Sequence, residues 1–247
     1  MRMVYAARGV ESTMEGPRNG MAEYKVSGVA LGVPDALLNE KIAEKLATGR
    51  YEGHEAAAVK MRVRPGNRVL ELGAGLGYVA SLCAGLTGPE NVVTVEANPD
   101  MLPVIRGNLD RNGFQAVRLI HGAVTGAAEP EGEILFERKR SFWAARLAGA
   151  DADPAAVVRV PELPLQGLLA EYRPHVVIMD IEGAEAQLFG RRWPRYVRSV
   201  MMELHPNQYP DSVIKRIVDC MSASGLTYDP GPSRGRVLGF RRVRNAE

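Results

Sequence analysis

The run Val69-Leu70-Glu71-Leu72-Gly73-Ala74-Gly75-Leu76-Gly77 decides how the rest of this chain is read. Val69, Leu70 and Leu72 make an apolar strand that passes straight into three glycines at alternate positions, after which Leu76, Val79, Leu82 and Leu86 recur at helical spacing. The pattern predicts a strand, a tight turn and a helix. Glycine suits such a turn because the chain must take backbone conformations closed to residues with a Cβ, and because the main chain must come close to a ligand.

Spacing separates the ligands that use these turns. Dinucleotide-binding turns read G-x-G-x-x-G and aim a helix N-terminus at a pyrophosphate. Here the glycines stand as G-x-G-x-G with Glu71 two residues ahead, the form found in S-adenosylmethionine-dependent methyltransferases. Glu71, Gly73, Ala74, Gly75 and Gly77 are therefore candidate cofactor-binding residues. A second apolar run, Val92, Val93 and Val95, ends at Glu96, whose carboxylate can accept hydrogen bonds from both hydroxyls of a ribose. The competing reading of Glu96 is an acid that ends a buried strand beside a tight turn. Ala97 and Asn98, directly after it, and Gly122 and Ala123, at the end of a third strand, complete the expected cofactor set.

A chain of 247 residues can build one sizeable core with a small appendage. Hydrophobic residues at 46% and charged residues at 24% are ordinary for a soluble globular protein, and a net charge of +2 gives no electrostatic case for nucleic acid. Cys83 and Cys220 support neither a disulfide framework nor a Cys-x-x-Cys metal site, which fits a reducing cytoplasm. No run nears the roughly 20 apolar residues that span a bilayer, and the first residues lack the apolar core of a signal peptide. The expectation is a cytoplasmic protein with no membrane partner.

Taken in order, residues 1–20 are expected to be a loose leader and 21–64 a small helical preface. Asp35 is the expected N-cap of a helix bearing Leu38, Ile42 and Leu46, and a second helix runs from about Glu52 to Arg62. Tyr51, Glu52, His54 and Glu55 stand close enough to the glycine strand to close over the cofactor's methionine end, although acids in a first helical turn also suit the helix dipole. From residue 65 to 247 strands and helices alternate. Val117 to Val124 reads as a third strand, Val176 to Met179 as a fourth and Ser199 to Leu204 as a fifth. A last helix, capped by Asp211, carries Val213, Ile214, Ile217, Val218 and Met221 on its inner face. Alternation predicts a doubly wound α/β fold whose mostly parallel, seven-stranded sheet is finished by an antiparallel hairpin from Leu226 to Tyr228 and Arg236 to Arg242. A β-rich insertion, about 125–163, interrupts it between strands three and four. Ile134 to Phe136 and Val157 to Val160 are its expected strands; Arg138-Lys139-Arg140 reads as a solvated loop, and Phe142 and Trp143 as local packing or a stacking surface for substrate.

Ligands of an open parallel sheet sit beyond the carboxyl ends of the strands where strand order reverses. With the order 3-2-1-4-5, Gly73 and Asp180 flank that crevice, and Glu96, His121, Glu182 and His205 end neighbouring strands on the same edge. Asp180-Ile181-Glu182-Gly183-Ala184-Glu185, with the glycine run, Val95-Glu96-Ala97-Asn98-Pro99 and Glu203-Leu204-His205-Pro206, resembles the FkbM family of S-adenosylmethionine-dependent methyltransferases over roughly Tyr51 to His205. The resemblance implies a class I, Rossmann-like methyltransferase with S-adenosylmethionine as cofactor. It departs at Gly75, where many members carry asparagine. The family's namesake methylates a macrolide hydroxyl, which does not identify the acceptor here.

Methyl transfer is an in-line displacement at an already activated carbon, so alignment supplies much of the catalysis, and a hydroxyl acceptor also needs a base. Asp180, Glu182 and His205 are the candidate catalytic residues: Asp180 beside the methyl group or acceptor, and Glu182 or His205 taking the proton. Glu182 as the cap of a following helix and His205 as a satisfied strand-end histidine are the competing readings. A site without metal is preferred to Mg²⁺ or Mn²⁺ held by Asp180, Glu182, Glu203 and His205, because nothing in their spacing requires an ion. The expected partner is a hydroxyl on a small molecule or glycan; no signal sets an oligomeric state. Two other functions compete: a nicotinamide-dependent oxidoreductase, opposed by the glycine spacing and the late hairpin, and an S-adenosylmethionine-binding scaffold without turnover. Base methylation of nucleic acid is disfavoured because no Asn/Asp-Pro-Pro-aromatic element follows the fourth strand.

Overall fold

The computed structural model describes residues 3–7, 10–18, 20–138, 146–149 and 152–243. It opens with a four-stranded antiparallel sheet in chain order, β1 (Met3–Ala7), β2 (Val10–Arg18), β3 (Met21–Val26) and β4 (Val29–Pro34). Two expectations are corrected here. Most of the stretch read as a loose leader lies in strands, and the helical preface begins with a hairpin. The reason is a period of two: Ala22, Tyr24 and Val26 are buried while Glu23 and Lys25 face outward. Ser27 and Gly28, both with positive φ (49° and 88°), make the tight turn between the two strands.

Two helices follow, α1 (Glu40–Ala47) and α2 (Gly53–Arg62). Asn39 caps α1 by accepting from the Ile42 amide at 2.9 Å. Asp35, the predicted cap, begins a separate 3₁₀ turn that ends at Leu37, so the helix starts one turn later than its apolar spacing suggests.

The central part runs β5 (Val69–Leu72), α3 (Tyr78–Thr87), β6 (Val92–Glu96), α4 (Leu102–Arg111), β7 (Arg118–His121), β8 (Ala123–Thr125), β9 (Glu133–Glu137), β10 (Arg146–Leu147), β11 (Val157–Pro164), α5 (Leu165–Tyr172), β12 (Val176–Met179), β13 (Ser199–Glu203), α6 (Asp211–Ala223), β14 (Leu226–Tyr228) and β15 (Val237–Arg242). Its main sheet has seven strands in the order β14-β15-β13-β12-β5-β6-β7. The five from β13 to β7 are parallel and β14 and β15 are antiparallel, so the predicted α/β architecture and its closing hairpin are both present. Apolar side chains divide between the faces. Val69 joins the core beneath α3 and α4, while Leu70 and Leu72 join the core beneath α5 and α6.

The predicted third strand breaks in two at Gly122. β7 stays in the main sheet, whereas β8 leaves it and pairs in parallel with β11, forming the insertion's own sheet in the order β10-β9-β11-β8. A Cβ at Gly122 would lie 2.6 Å from Leu163 Cδ1 and 2.8 Å from the Pro161 carbonyl oxygen, so the bend needs glycine. The inner stripe of α6 is narrower than predicted: Val213, Ile217 and Met221 are buried, but Val218 is 41% exposed, and Asp211 is the first helical residue with Pro210 in the cap position. Among the described residues no helix is long and apolar enough to cross a membrane.

The preface is tied to the sheet at both ends. Asn108, fully buried on α4, accepts from the Gly32 amide of β4 at 2.7 Å and donates to the Leu76 carbonyl of the glycine loop at 2.9 Å. Arg62 of α2 donates twice to the buried Asp229 carboxylate next to β14, at 2.5 and 2.6 Å. These bonds carry α2 across the carboxyl edge of the sheet.

Candidate active site

Gly73 and Asp180 meet as main chain on main chain. Gly73 has φ 89°, and a Cβ there would lie 1.9 Å from the Asp180 carbonyl oxygen. The loops leaving adjacent strands β5 and β12 are thus pressed together at the reversal of strand order. Gly75, with φ 54°, faces the preface: its Cβ would be 2.8 Å from Glu52 Oε1 and 3.1 Å from Tyr51 Oη. The departure at Gly75 now has a physical reason, since an asparagine side chain would need the space Glu52 fills. Beyond these loops lies an open cleft walled by the ends of β5, β6 and β12, the preface and the insertion.

At the β6 end of the cleft the acids are held by nearby donors. The Ala74 amide donates to Glu96 Oε2 at 3.1 Å and the Asn98 amide to Glu96 Oε1 at 2.8 Å. Burial raises the Glu96 carboxyl, and these amides pull it back down. Glu71, 2% exposed, accepts from the Thr94 hydroxyl; burial pushes its carboxyl up to about 8 against that bond, with Glu96 adding to the rise. Of the predicted cofactor residues, Glu71, Gly73, Gly75, Glu96, Ala97, Gly122, Ala123 and Asp180 line the cleft. Ala74, Gly77 and Asn98 do not. Ala74 and Asn98 orient Glu96, Asn98 also accepts from the Asp100 amide at 3.2 Å, and Gly77 precedes α3, close against Ile105.

At the β12 end Asp180 and Glu182 line the cleft, and Glu182 takes φ 50°, a left-handed conformation uncommon without glycine, ahead of Gly183 at 97°. Glu182 does not cap the turn after it: the Gly183 amide donates instead to Glu185 Oε2 at 2.9 Å. His205 stands behind the two acids with its side chain 5% exposed, its Nε2 lying 3.5 Å from Asp180 Oδ1 and 3.4 Å from Glu182 Oε2. Its Nδ1 is 2.7 Å from Oε1 of the fully buried Glu185, which also accepts from the Tyr209 hydroxyl at 2.8 Å. Burial raises Asp180 well above the usual carboxylate range, helped by Glu203 and Glu182 and opposed by His205. Burial also raises Glu182, against His205. For His205 burial disfavours the charge, but Glu185, Asp180 and Glu182 outweigh it and push the imidazole up to about 9.

Of the four preface residues offered as a cover for the cofactor, three line the cleft. Tyr51, Glu52 and Glu55 do reach the cleft, Glu52 with a left-handed φ of 43° that turns the chain into α2, while His54 does not. Burial raises Glu52 well above its ordinary value and raises Glu55 less strongly. Phe136 and Leu147 arrive from the insertion, and Ile178 and Ile181 from the strand-four edge. Only the position of the preface was a signal in sequence. His121 ends β7 outside the cleft, and Lys139, Arg140, Phe142 and Trp143 lie outside the described residues.

Comparison with known proteins agrees with this architecture. A family model described as the methyltransferase FkbM domain matches residues 71–228, well over half of the chain and all of the strand edge from Glu71 to His205. Among curated relatives, the protein-L-isoaspartate O-methyltransferase of Methanopyrus kandleri is 41% identical over 70 residues, 28% of this chain and 31% of that protein. Its counterpart in Methanocella arvoryzae is 47% identical over 58 residues, 23% of this chain and 31% of that protein. The matches span about a third of the length of these curated relatives. Among solved structures, an O-methyltransferase from Bacillus cereus in complex with SAH has a TM-score of 0.43 at 14% identity, covering 78% of this chain and 81% of that one. A precorrin-6y C5,15-methyltransferase from Geobacter metallireducens gives 0.42 at 16% identity, covering 76% and 85%. By the extent of the family match, the chain belongs to the FkbM family of S-adenosylmethionine-dependent methyltransferases.

Proposed function

We propose that this chain transfers a methyl group from S-adenosylmethionine to a hydroxyl of a small molecule or glycan. The observation that carries this reading is the lining of the cleft by carboxyl groups. Glu52, Glu55, Glu71, Glu96, Asp180 and Glu182 line it, and among the described residues no Lys or Arg does. A carboxylate or phosphate acceptor would enter against these acids with no counter-charge, whereas a hydroxyl is neutral and donates a hydrogen bond to them.

The residues fit the cofactor: Gly73 and Gly75 line the cleft without side chains of their own, and Glu96 faces the cleft where a ribose would need an acceptor. When bound, S-adenosylmethionine supplies a methyl carbon activated by the adjoining sulfonium. Asp180 and Glu182, on the cleft wall, are placed to align the acceptor hydroxyl and take its proton. His205 does not line the cleft and acts from behind, keeping the two acids in position while Glu185 fixes its ring.

Calorimetric titration with S-adenosylhomocysteine, NAD⁺ and NADP⁺ tests the cofactor. Micromolar affinity for S-adenosylhomocysteine alone, about 8 kcal/mol, is expected, weakened about tenfold or more by Glu96→Gln. Nicotinamide binding in its place would overturn the reading. Methyl-labelled S-adenosylmethionine offered with sugars, macrolides and isoaspartyl peptides tests the acceptor. An alkali-stable ether is expected; an alkali-labile ester would sink the hydroxyl assignment. Asp180→Asn and Glu182→Gln should each lower kcat about 100-fold while S-adenosylhomocysteine still binds.

A further inference from the structure

We propose that Asp180, Glu203 and His205 bind a divalent cation of the Mg²⁺ or Mn²⁺ type beside the acceptor end of the cleft. Each offers one ligand atom, and these atoms all lie within 4.8 Å of one another. Around an ion with bonds near 2.1 Å, neighbouring ligand atoms are about 3.0 Å apart and opposite ones about 4.2 Å. His205 Nε2 and Asp180 Oδ1, at 3.5 Å, fit that spacing better than they fit a hydrogen bond.

Two further observations support a bound cation. Asp180 Oδ1 is closed off from solvent and, among the described residues, has no hydrogen-bond donor. A buried carboxylate oxygen left in that state is costly, and a cation relieves it. The His205 side chain is nineteen-twentieths buried, and among the described residues its Nε2 lies 3.4 and 3.5 Å from two acids. Its other nitrogen is bound to Glu185, whose carboxylate is itself fixed by Tyr209 and the Gly183 amide. That is how imidazoles which ligate metals are held: a carboxylate behind the ring sets its orientation and leaves the forward nitrogen to the ion.

The topology explains why the three meet. Met179 pairs with Met202 in the parallel register of β12 and β13, so Asp180 and Glu203 leave the same edge side by side, with His205 two residues further on. Arg236 Nη2 bonds Glu203 Oε1 at 2.5 Å and orients that carboxylate. Two oxygens and one nitrogen suit Mn²⁺ better than Mg²⁺, which prefers oxygens throughout, and a six-coordinate ion would keep three positions for water or acceptor oxygens. The cation site goes beyond the methyl-transfer reading, and one experiment separates them.

Metal-stripped protein is titrated with Mn²⁺ alone, following the paramagnetic resonance signal of the free ion, while S-adenosylhomocysteine affinity is measured on the same samples. One Mn²⁺ per chain is expected, bound at least about tenfold more weakly by Asp180→Asn, Glu203→Gln and His205→Ala, displaced by Mg²⁺ and unaffected by Asp219→Asn on the exposed face of α6. Pulsed resonance on the unsubstituted protein should show nitrogen coupling from a directly bound imidazole, a readout that needs no variant to fold. No stoichiometric binding at millimolar Mn²⁺, an all-oxygen coordination sphere, or affinity unchanged by all three substitutions would overturn the site. S-adenosylhomocysteine binding without Mn²⁺ removes the cation site alone; Mn²⁺ binding without S-adenosylhomocysteine removes the methyl-transfer reading and leaves the cation site standing.

Discussion

At the Glu96 end of the cleft each acid has a donor supplied by chain close by: Glu96 takes the amides of Ala74 and Asn98, and Glu71 the hydroxyl of Thr94 on the adjacent strand. At the Asp180 end both acids face the His205 ring across 3.4 to 3.5 Å, and among the described residues Asp180 Oδ1 has no donor. Both ends are buried and acidic. One is already satisfied by chain close by and so presents a fixed shape, whereas the other leaves an acid oxygen without a donor and so favours ligands that bring a proton donor or a cation.

The strongest way to break this contrast is at the joint between the two ends. Gly73→Ala puts a Cβ against the Asp180 carbonyl oxygen in a left-handed conformation, and should cost about 3 to 4 kcal/mol. Urea unfolding measures it, and S-adenosylhomocysteine binding should be lost with it. A loss below 1 kcal/mol, within about the scatter of surface changes, would mean that the two loops are not rigidly packed.

An effect smaller per unit of pH sharpens the picture of the satisfied end. Glu71 titrates ordinarily at 4.5 and in the fold at about 8, so the folded chain keeps a proton there that the unfolded chain releases. Its contribution is fully present below the ordinary value and is lost as pH rises through the folded one, at about 1.4 kcal/mol per pH unit in that window. Glu71→Gln has no such proton to lose and should flatten the stability curve there, measured as urea midpoints at several pH values. An unchanged slope would show that the carboxyl is not buried as described.

The smallest effect concerns the preface. Gly75→Asn keeps a tolerable backbone, since asparagine accepts left-handed φ, but its side chain competes with Glu52. Stability should fall by about 1 kcal/mol or less, and Glu52→Ala should recover part of it in a double-mutant cycle on unfolding free energies. Strict additivity would show that the two side chains do not compete.

Much of the site was legible because it is local. Gly73, Gly75 and Glu96 lie at strand ends, and both their positions and their chemistry follow from an apolar run meeting glycines or an acid. Asp180, Glu182 and His205 were legible as candidates, but not their arrangement: His205 faces the cleft only through two acids, and its orientation comes from Glu185, a residue singled out only as part of a motif. The N-terminal sheet escaped the sequence reading because its clear alternation, Met21–Val26, spans only six residues and leads into two helices whose longer period dominates the window. Gly122 was marked as a ligand contact; its bend into a second sheet depends on Leu163 and Pro161, some forty residues away.

The sequence by itself determined the alternation of strands and helices, hence the parallel sheet, its reversal of order and the edge where ligands gather. These follow from periodicity and from glycine's backbone freedom, which act over a few residues. Tertiary structure alone decided the character of the cleft: that Glu52 and Glu55 of the preface reach it, that Phe136 and Leu147 of the insertion help to wall it, and that an acid cluster closes around a buried histidine. Those outcomes depend on burial and charge between segments far apart in the chain, where the cost of an unpaired group is set by neighbours that no local pattern reveals.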